Sequence, residues 1–270
     1  MDSLILWIIA FTALGGVLSV LAAGMFLLVP QALRERLLPS FVSFAIGALL
    51  GAAFLGLLPH AFESPVVDTH EVALTVLLGL LGFFLLEKMV LWRHCHTHDC
   101  EAHAHDIEHA RKMSTGALIL IGDSVHNLVD GVLIAAAFLT DVHLGVVTSV
   151  AVIAHEIPQE IGDFAVLLHS GYSRGKALFC NVLVSLTTVV GGVVAYFSLT
   201  LAQAIVPYVL AVAASSFIYI AVADLIPGLH KRPELSDTLQ QIVLIGLGVV
   251  AVVFLPEVIG FILPLPGHAH

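Results

Sequence analysis

The sequence predicts an all-α, polytopic membrane protein of eight transmembrane helices, and three observations carry that prediction. Hydrophobic residues make up 59% of the 270 positions and charged residues 11%, where soluble domains carry about 25% charged residues. Mean hydropathy is +1.04, and apolar runs of the roughly 20 residues needed to cross hydrocarbon follow one another along the chain. The Lys and Arg residues fall only at alternate connections between those runs.

Polar or Pro-bearing breaks set the spans at roughly 3–29, 41–62, 71–93, 114–140, 143–170, 174–201, 205–229 and 238–263. The first run, Leu4 to Val29, is too long for a signal-peptide core and has no basic region before it, so it is expected to be retained. Connections near 141, 172 and 203 are short, which predicts that the helices they join are antiparallel neighbours. The ten basic residues are Arg34, Arg36, Lys88, Arg93, Arg111, Lys112, Arg174, Lys176, Lys231 and Arg232. All lie in or beside connections 1–2, 3–4, 5–6 and 7–8, which share one face in an alternating topology. The positive-inside rule assigns that face to the cytoplasm and places both termini outside. The plasma (cell inner) membrane is the expected location, with lipid as a partner. One transmembrane domain over 1–270 is expected, with a His-rich cytoplasmic loop at 94–113.

Two short segments echo each other: "LLPHAF" (Leu57 to Phe62) ends span 2 and "LIPGLH" (Leu225 to His230) ends span 7. Their ends point to opposite faces, as an inverted repeat of spans 1–3 and 6–8 requires. Gly47 and Gly51 form a GxxxG-type pair suited to packing within the chain or between two copies in a homodimer.

Spans 4 and 5 carry a polar stripe. Positions i, i+3, i+4 and i+7 share one helix face. Asp123, His126, Asn127 and Asp130 follow that spacing, as do His155, Glu156, Gln159, Glu160 and Asp163. An ionised group at the bilayer centre costs about 2.5–3.5 kcal/mol or more. Five acids and two His on adjacent helices therefore require a polar interior in which they compensate one another. A hydrogen-bond network alone does not call for carboxylates. A divalent cation does, since carboxylate oxygen with neutral imidazole nitrogen suits zinc and neighbouring transition metals. Pro158 removes a backbone bond to Ala154 mid-span, which a membrane helix tolerates beside a cavity. Gly131 and Gly162 are expected to let spans 4 and 5 approach closely.

The segments "HNLVDG" in span 4 and "HEIPQEIGD" in span 5, with eight spans and a His-rich connection 3–4, resemble the ZIP (ZRT/IRT-like) metal transporters. The match is to the branch with a HEXPHEXGD signature. The resemblance implies transport of zinc, with iron, manganese and cadmium as further cargo, toward the cytoplasm. It implies that His126, Asn127, Asp130, His155 and Glu156 occupy metal-site positions, with Gln159 and Glu160 closing the signature. Zinc is then cargo and not a cofactor, and no enzymatic activity is expected. The chain departs from the branch at Gln159, where His is usual. It departs again at "AAFLG" (Ala52 to Gly56), where an acid and an imidazole are usual. Span 6 has no acid for a second metal, only Asn181, Ser185, Thr187 and Thr188.

Asp224 and His230 near the inner end of span 7 suggest an exit path. The tract His94 to His109 holds His94, Cys95, His96, His98, Cys100, His103, His105 and His109, a composition that binds metal weakly without a packed fold. It reads as an acceptor or sensor for departing metal. A net charge of −10 excludes nucleic acid as a partner. Two other classes compete. An efflux carrier would use the same ligands with reversed flux. An intramembrane metalloprotease of the H-E-x-x-H type would need a second His where Gln159 stands.

Overall fold

The computed structural model describes residues 2–26, 28–95, 104–230 and 234–262, and those residues form helices joined by short turns, with no strand among them. In a bilayer every backbone N–H and C=O must be satisfied within the segment, which is why long apolar runs take this form. In chain order the helices are α1 (Asp2–Phe26), α2 (Gln31–Gly51), α3 (Leu58–Phe62), α4 (Thr69–Cys95), α5 (Ala104–Thr140), α6 (Val142–His169), α7 (Arg174–Leu201), α8 (Val206–Tyr219), α9 (Ile226–Leu229) and α10 (Leu235–Ile262). Seven helical segments among the described residues are long and apolar enough to cross a membrane. Helix α6, at 28 residues, is as long, and its acids and His set it apart. The turns are capped locally. Asp141 accepts from the Leu144 N–H at 3.1 Å to start α6, and Gly171, at φ +88°, ends the turn after it.

Helices α2 and α5 begin about ten residues before their apolar runs, at Gln31 and Ala104. Leu, Arg, Glu, Lys and Ala are good helix formers and carry the helix past the hydrocarbon edge. Consequently helical backbone occupies both ends of the predicted 94–113 connection.

Spans 2 and 7 share an irregularity. A six-residue π-helical turn, Ala52–Leu57 or Ile220–Leu225, stands immediately before α3 or α9, each with proline as its second residue. The rings of Pro59 and Pro227 would clash with the carbonyls of Leu55 and Ala223 in a regular helix, and a widened turn relieves that clash. The sequence echo is therefore also a structural one. Helix pairing has the same symmetry: α1 packs on α6 as α7 packs on α5, and α10 packs on α2 as α4 packs on α8. Exchanging α1–α4 for α7–α10, and α5 for α6, leaves the pattern intact, as an inverted repeat requires.

Two groups result. Helices α1, α5, α6 and α7 pack together, and α2, α4, α8 and α10 form the other group. Contacts of α6 with α2 and α10, and of α5 with α8, join them. Two expectations need correction. Short connections do make α5 and α6 neighbours, but α7 packs chiefly on α5 and α1, and α8 leaves it to pack on α4. The cause is glycine. A Cβ at Gly131 would overlap the Thr188 carbonyl oxygen, and one at Gly191 the Leu128 carbonyl oxygen, so α5 and α7 cross backbone to backbone. Gly131 thus serves α7, not α6, and nothing lies within 4 Å of a Cβ built on Gly162. Gly47 faces the Ile245 backbone and Gly51 faces Val249, so the GxxxG-type pair packs α2 on α10 within one chain.

Candidate metal centre

His126 and Asp130 stand one turn apart on α5, and His155 and Glu156 are consecutive on α6. The α5–α6 contact brings one ligand atom of each to within 4.8 Å of all the others. His126 Nε2 lies 3.2 Å from His155 Nε2, 3.4 Å from Glu156 Oε1 and 3.6 Å from Asp130 Oδ2. His155 Nε2 lies 3.3 Å from Asp130 Oδ2 and 3.8 Å from Glu156 Oε1. A tetrahedral zinc with bonds of about 2.0–2.1 Å needs ligand-to-ligand edges of roughly 3.3–3.4 Å. The five separations that involve a histidine nitrogen, 3.2–3.8 Å, bracket that edge.

Burial sharpens the point. Asp130 is fully buried, and His155 and Glu156 are 1% and 2% exposed. All four carboxylate oxygens of Asp130 and Glu156 are buried with no hydrogen-bond donor in place. Each orphaned acceptor costs about 1–3 kcal/mol, more for charged groups. Two carboxylates carry −2, which a divalent cation neutralises while taking one oxygen of each as a ligand. His155 Nδ1 lies 3.1 Å from the Ala151 carbonyl oxygen. That contact fixes Nδ1–H as donor and turns the Nε2 lone pair into the cage, the arrangement expected for a ligating imidazole.

The other three predicted residues lie one layer away. Asn127 donates to the Asp123 carbonyl at 3.2 Å and to Asp123 Oδ1 at 3.0 Å, and accepts from Thr188 Oγ1 at 2.7 Å. Gln159 donates to Asp123 Oδ1 at 3.3 Å. Glu160, fully buried, accepts from the Asn181 amide. Thr188 and Asn181 were not among the predicted site residues. Their spacing of seven on α7 puts them on one helix face, and that was the available signal.

A cavity of about 600 Å³ reaches this centre from one side, lined by Leu38, Val42, Phe83, Gly122, Asp123, His126, His155, Pro158, Gln159, Asp163, Tyr219 and Leu225 among others. Among the described residues no Lys or Arg lines it. Pro158 borders the cavity as a membrane-buried proline should, and α6 continues through it. The cavity opens toward the face bearing the basic connections. Toward the other face the centre is sealed: on α5 every residue from Leu133 to Phe138 is at most 2% exposed, and Ala211, Ala213 and Ala214 on α8 are fully buried. Beyond that seal a second cavity of about 360 Å³ includes His60, Glu63, Thr140 and Gln203. His60 Nδ1 lies 2.9 Å from the Gly56 carbonyl oxygen, in the π-helical turn.

The side chain of Asp224 lies outside those described, although its neighbour Leu225 lines the cavity. His230 is exposed just past α9. His96, His98, Cys100 and His103 lie outside the described residues. The side chains of His94, Cys95, His105 and His109, at helix ends, lie outside them too.

A bundle of membrane-spanning helices that buries four groups able to hold a metal ion, beside a cavity open to one face, is the architecture of an integral-membrane metal-ion transporter. Comparison with known proteins makes the class specific. The family model described as ZIP zinc transporter matches residues 92–256. Zinc transporter ZIP13 of Pongo abelii is 32% identical over 233 residues, covering 80% of this chain and 66% of that protein. Zinc transporter zipt-7.1 of Caenorhabditis briggsae is 26% identical over 92% of this chain and 79% of its own length. Human zinc transporter ZIP4 is 29% identical over 80% of this chain, which spans 43% of ZIP4. The chain belongs to the ZIP zinc transporter family.

Proposed function

We propose that this chain carries zinc across the membrane toward the cytoplasm through the centre formed by His126, Asp130, His155 and Glu156. The observation that carries the proposal is the cage itself, whose edges suit tetrahedral zinc and whose four carboxylate oxygens have no other partner. Zinc reaches the centre from the side of the 360 Å³ vestibule when the seal on α5 and α8 opens. It sheds water for two imidazoles and two carboxylates, and leaves by the cavity that faces the basic connections. Asn127, Gln159 and Glu160 support the centre from the next layer, and Asp224, His230 and the His-rich tract receive the departing ion. Alternating access is the mechanism this reading favours, since in this conformation the open cavity reaches the centre from one face. By the positive-inside rule that open face is cytoplasmic, with both termini outside, in the plasma (cell inner) membrane. Iron, manganese and cadmium are further candidates, since nitrogen and oxygen ligands of this kind accept them.

The test uses liposomes with a zinc-sensitive dye inside. Asp130→Ala is expected to stay inserted and monodisperse, to lose tight zinc binding and to abolish zinc flux. Wild-type flux in that variant would remove the central assignment.

A further inference from the structure

The cavity does more than vent the centre. Its wall one to two helical turns nearer the basic face is acidic. Asp123 on α5 is 5% exposed and lines the cavity together with Gln159 and Asp163 of α6. The Asp123 carboxylate is half engaged. Its Oδ1 accepts from Asn127 at 3.0 Å and from Gln159 at 3.3 Å. Its Oδ2 is buried and has no partner. Among the described residues no Lys or Arg lines the cavity to balance either acid. A buried carboxylate oxygen left without a donor is costly, and the natural partner in a cavity that leads to a cation cage is a cation.

The chemistry here differs from that of the cage. The local ligands are two carboxylates and an amide, all hard oxygen, with no imidazole added at this level. Among the described residues only the central four close a shell tight enough for a bare ion. A cation beside Asp123 and Asp163 therefore keeps part of its water and uses Asp123 Oδ2 as its anchor. Oxygen ligands with retained water suit an ion that has just left a dehydrating site, and they discriminate little between zinc and harder divalent ions.

We propose that Asp123, one turn from the central cage on α5, and Asp163, two turns from it on α6, form a second cation station that takes a partly hydrated divalent ion on its way out. The inference rests on the reading of the central four residues as the transport site. Two roles for Asp123 then coexist. Its Oδ1 fixes the amides of Asn127 and Gln159, and its Oδ2 is left for the ion.

Manganese, a hydrated paramagnetic probe, separates the two sites. In purified full-length Asp130→Ala the cage is incomplete, and loss of tight zinc binding by that variant tests the cage alone. Titrated with manganese and read by electron paramagnetic resonance, it should retain one weak ion per chain whose signal shows bound water. Adding Asp163→Asn, at a half-buried position, should weaken that ion by about tenfold. Adding Asp123→Asn as well should remove it. Ions held elsewhere on the chain cancel in these differences. In an otherwise native chain, Asp163→Asn should keep tight zinc binding while slowing zinc flux several-fold. A manganese titration of Asp130→Ala that is unchanged by both Asn substitutions would overturn the station, whatever the fate of tight zinc. So would the absence of any weak ion in Asp130→Ala.

Discussion

Gln159 shows how much depends on one side chain. It follows His155 by four residues on the same face of α6, yet its amide is turned to Asp123 Oδ1 at 3.3 Å and Glu156 stands in the cage. Replacing the amide by imidazole removes that donor and adds a borderline-soft nitrogen beside His155. Gln159→His should therefore raise the preference for zinc over manganese by about tenfold and slow release. Equilibrium binding of both metals to the purified proteins measures it. An unchanged ratio would mean that position 159 looks only to Asp123. Residue type and spacing made the polar stripe of α5 and α6 legible in the sequence, because carboxylates and imidazoles on one face of a membrane helix need partners in a polar interior. Which members of the stripe meet was not legible. Asn127, Gln159 and Glu160 share the stripe, but their partners are Asp123, Thr188 and Asn181. Two of those partners lie on α7, and long-range pairing of this kind leaves only a faint mark in a single sequence.

At the scale of elements, glycine decides which helices touch. Gly131 and Gly191 let α5 and α7 cross closely, and that crossing holds Asn127 against Thr188 at 2.7 Å. Gly131→Ala should therefore destabilise the protein by about 1–3 kcal/mol, since the Cβ meets backbone and not a flexible side chain. Gly162→Ala is the matched control: its Cβ meets nothing within 4 Å, and alanine favours the helix by up to about 1 kcal/mol. Unfolding of both variants in detergent micelles reads the difference. Equal stabilities would show that the crossing relaxes without cost. The sequence displayed these glycines plainly and still misled about their partners, because a small residue permits close approach without naming the helix that approaches. The two prolines were more informative. Pro59 and Pro227 each impose a widened turn by local sterics, so the echo of "LLPHAF" and "LIPGLH" survives in the structure.

Across the whole molecule, the arrangement of basic residues and the position of the open cavity agree: the centre is accessible from the face that carries every Lys and Arg-bearing connection. The span count was legible because hydropathy and charge placement are properties of long segments, which average over local detail. Span edges were less so, as α2 and α5 continue into polar sequence where helix propensity takes over from hydropathy. The same face carries the connection between α4 and α5, which begins after Cys95 and ends before Ala104. Six His lie in the tract from His94 to His109. Imidazoles in a polar tract bind zinc weakly and reversibly, and on the proposed reading they set how much metal the chain holds and not how fast it crosses. Replacing all six His by Asn preserves length and polarity and removes the nitrogen ligands. The initial rate of zinc flux in liposomes should stay within about twofold of wild type, while zinc bound per chain falls by roughly one or two weakly held ions. Flux is read with the internal dye and binding by equilibrium dialysis of the same preparation. Abolished flux with insertion intact would make the tract part of the pathway itself, and unchanged binding would show that these His do not hold metal.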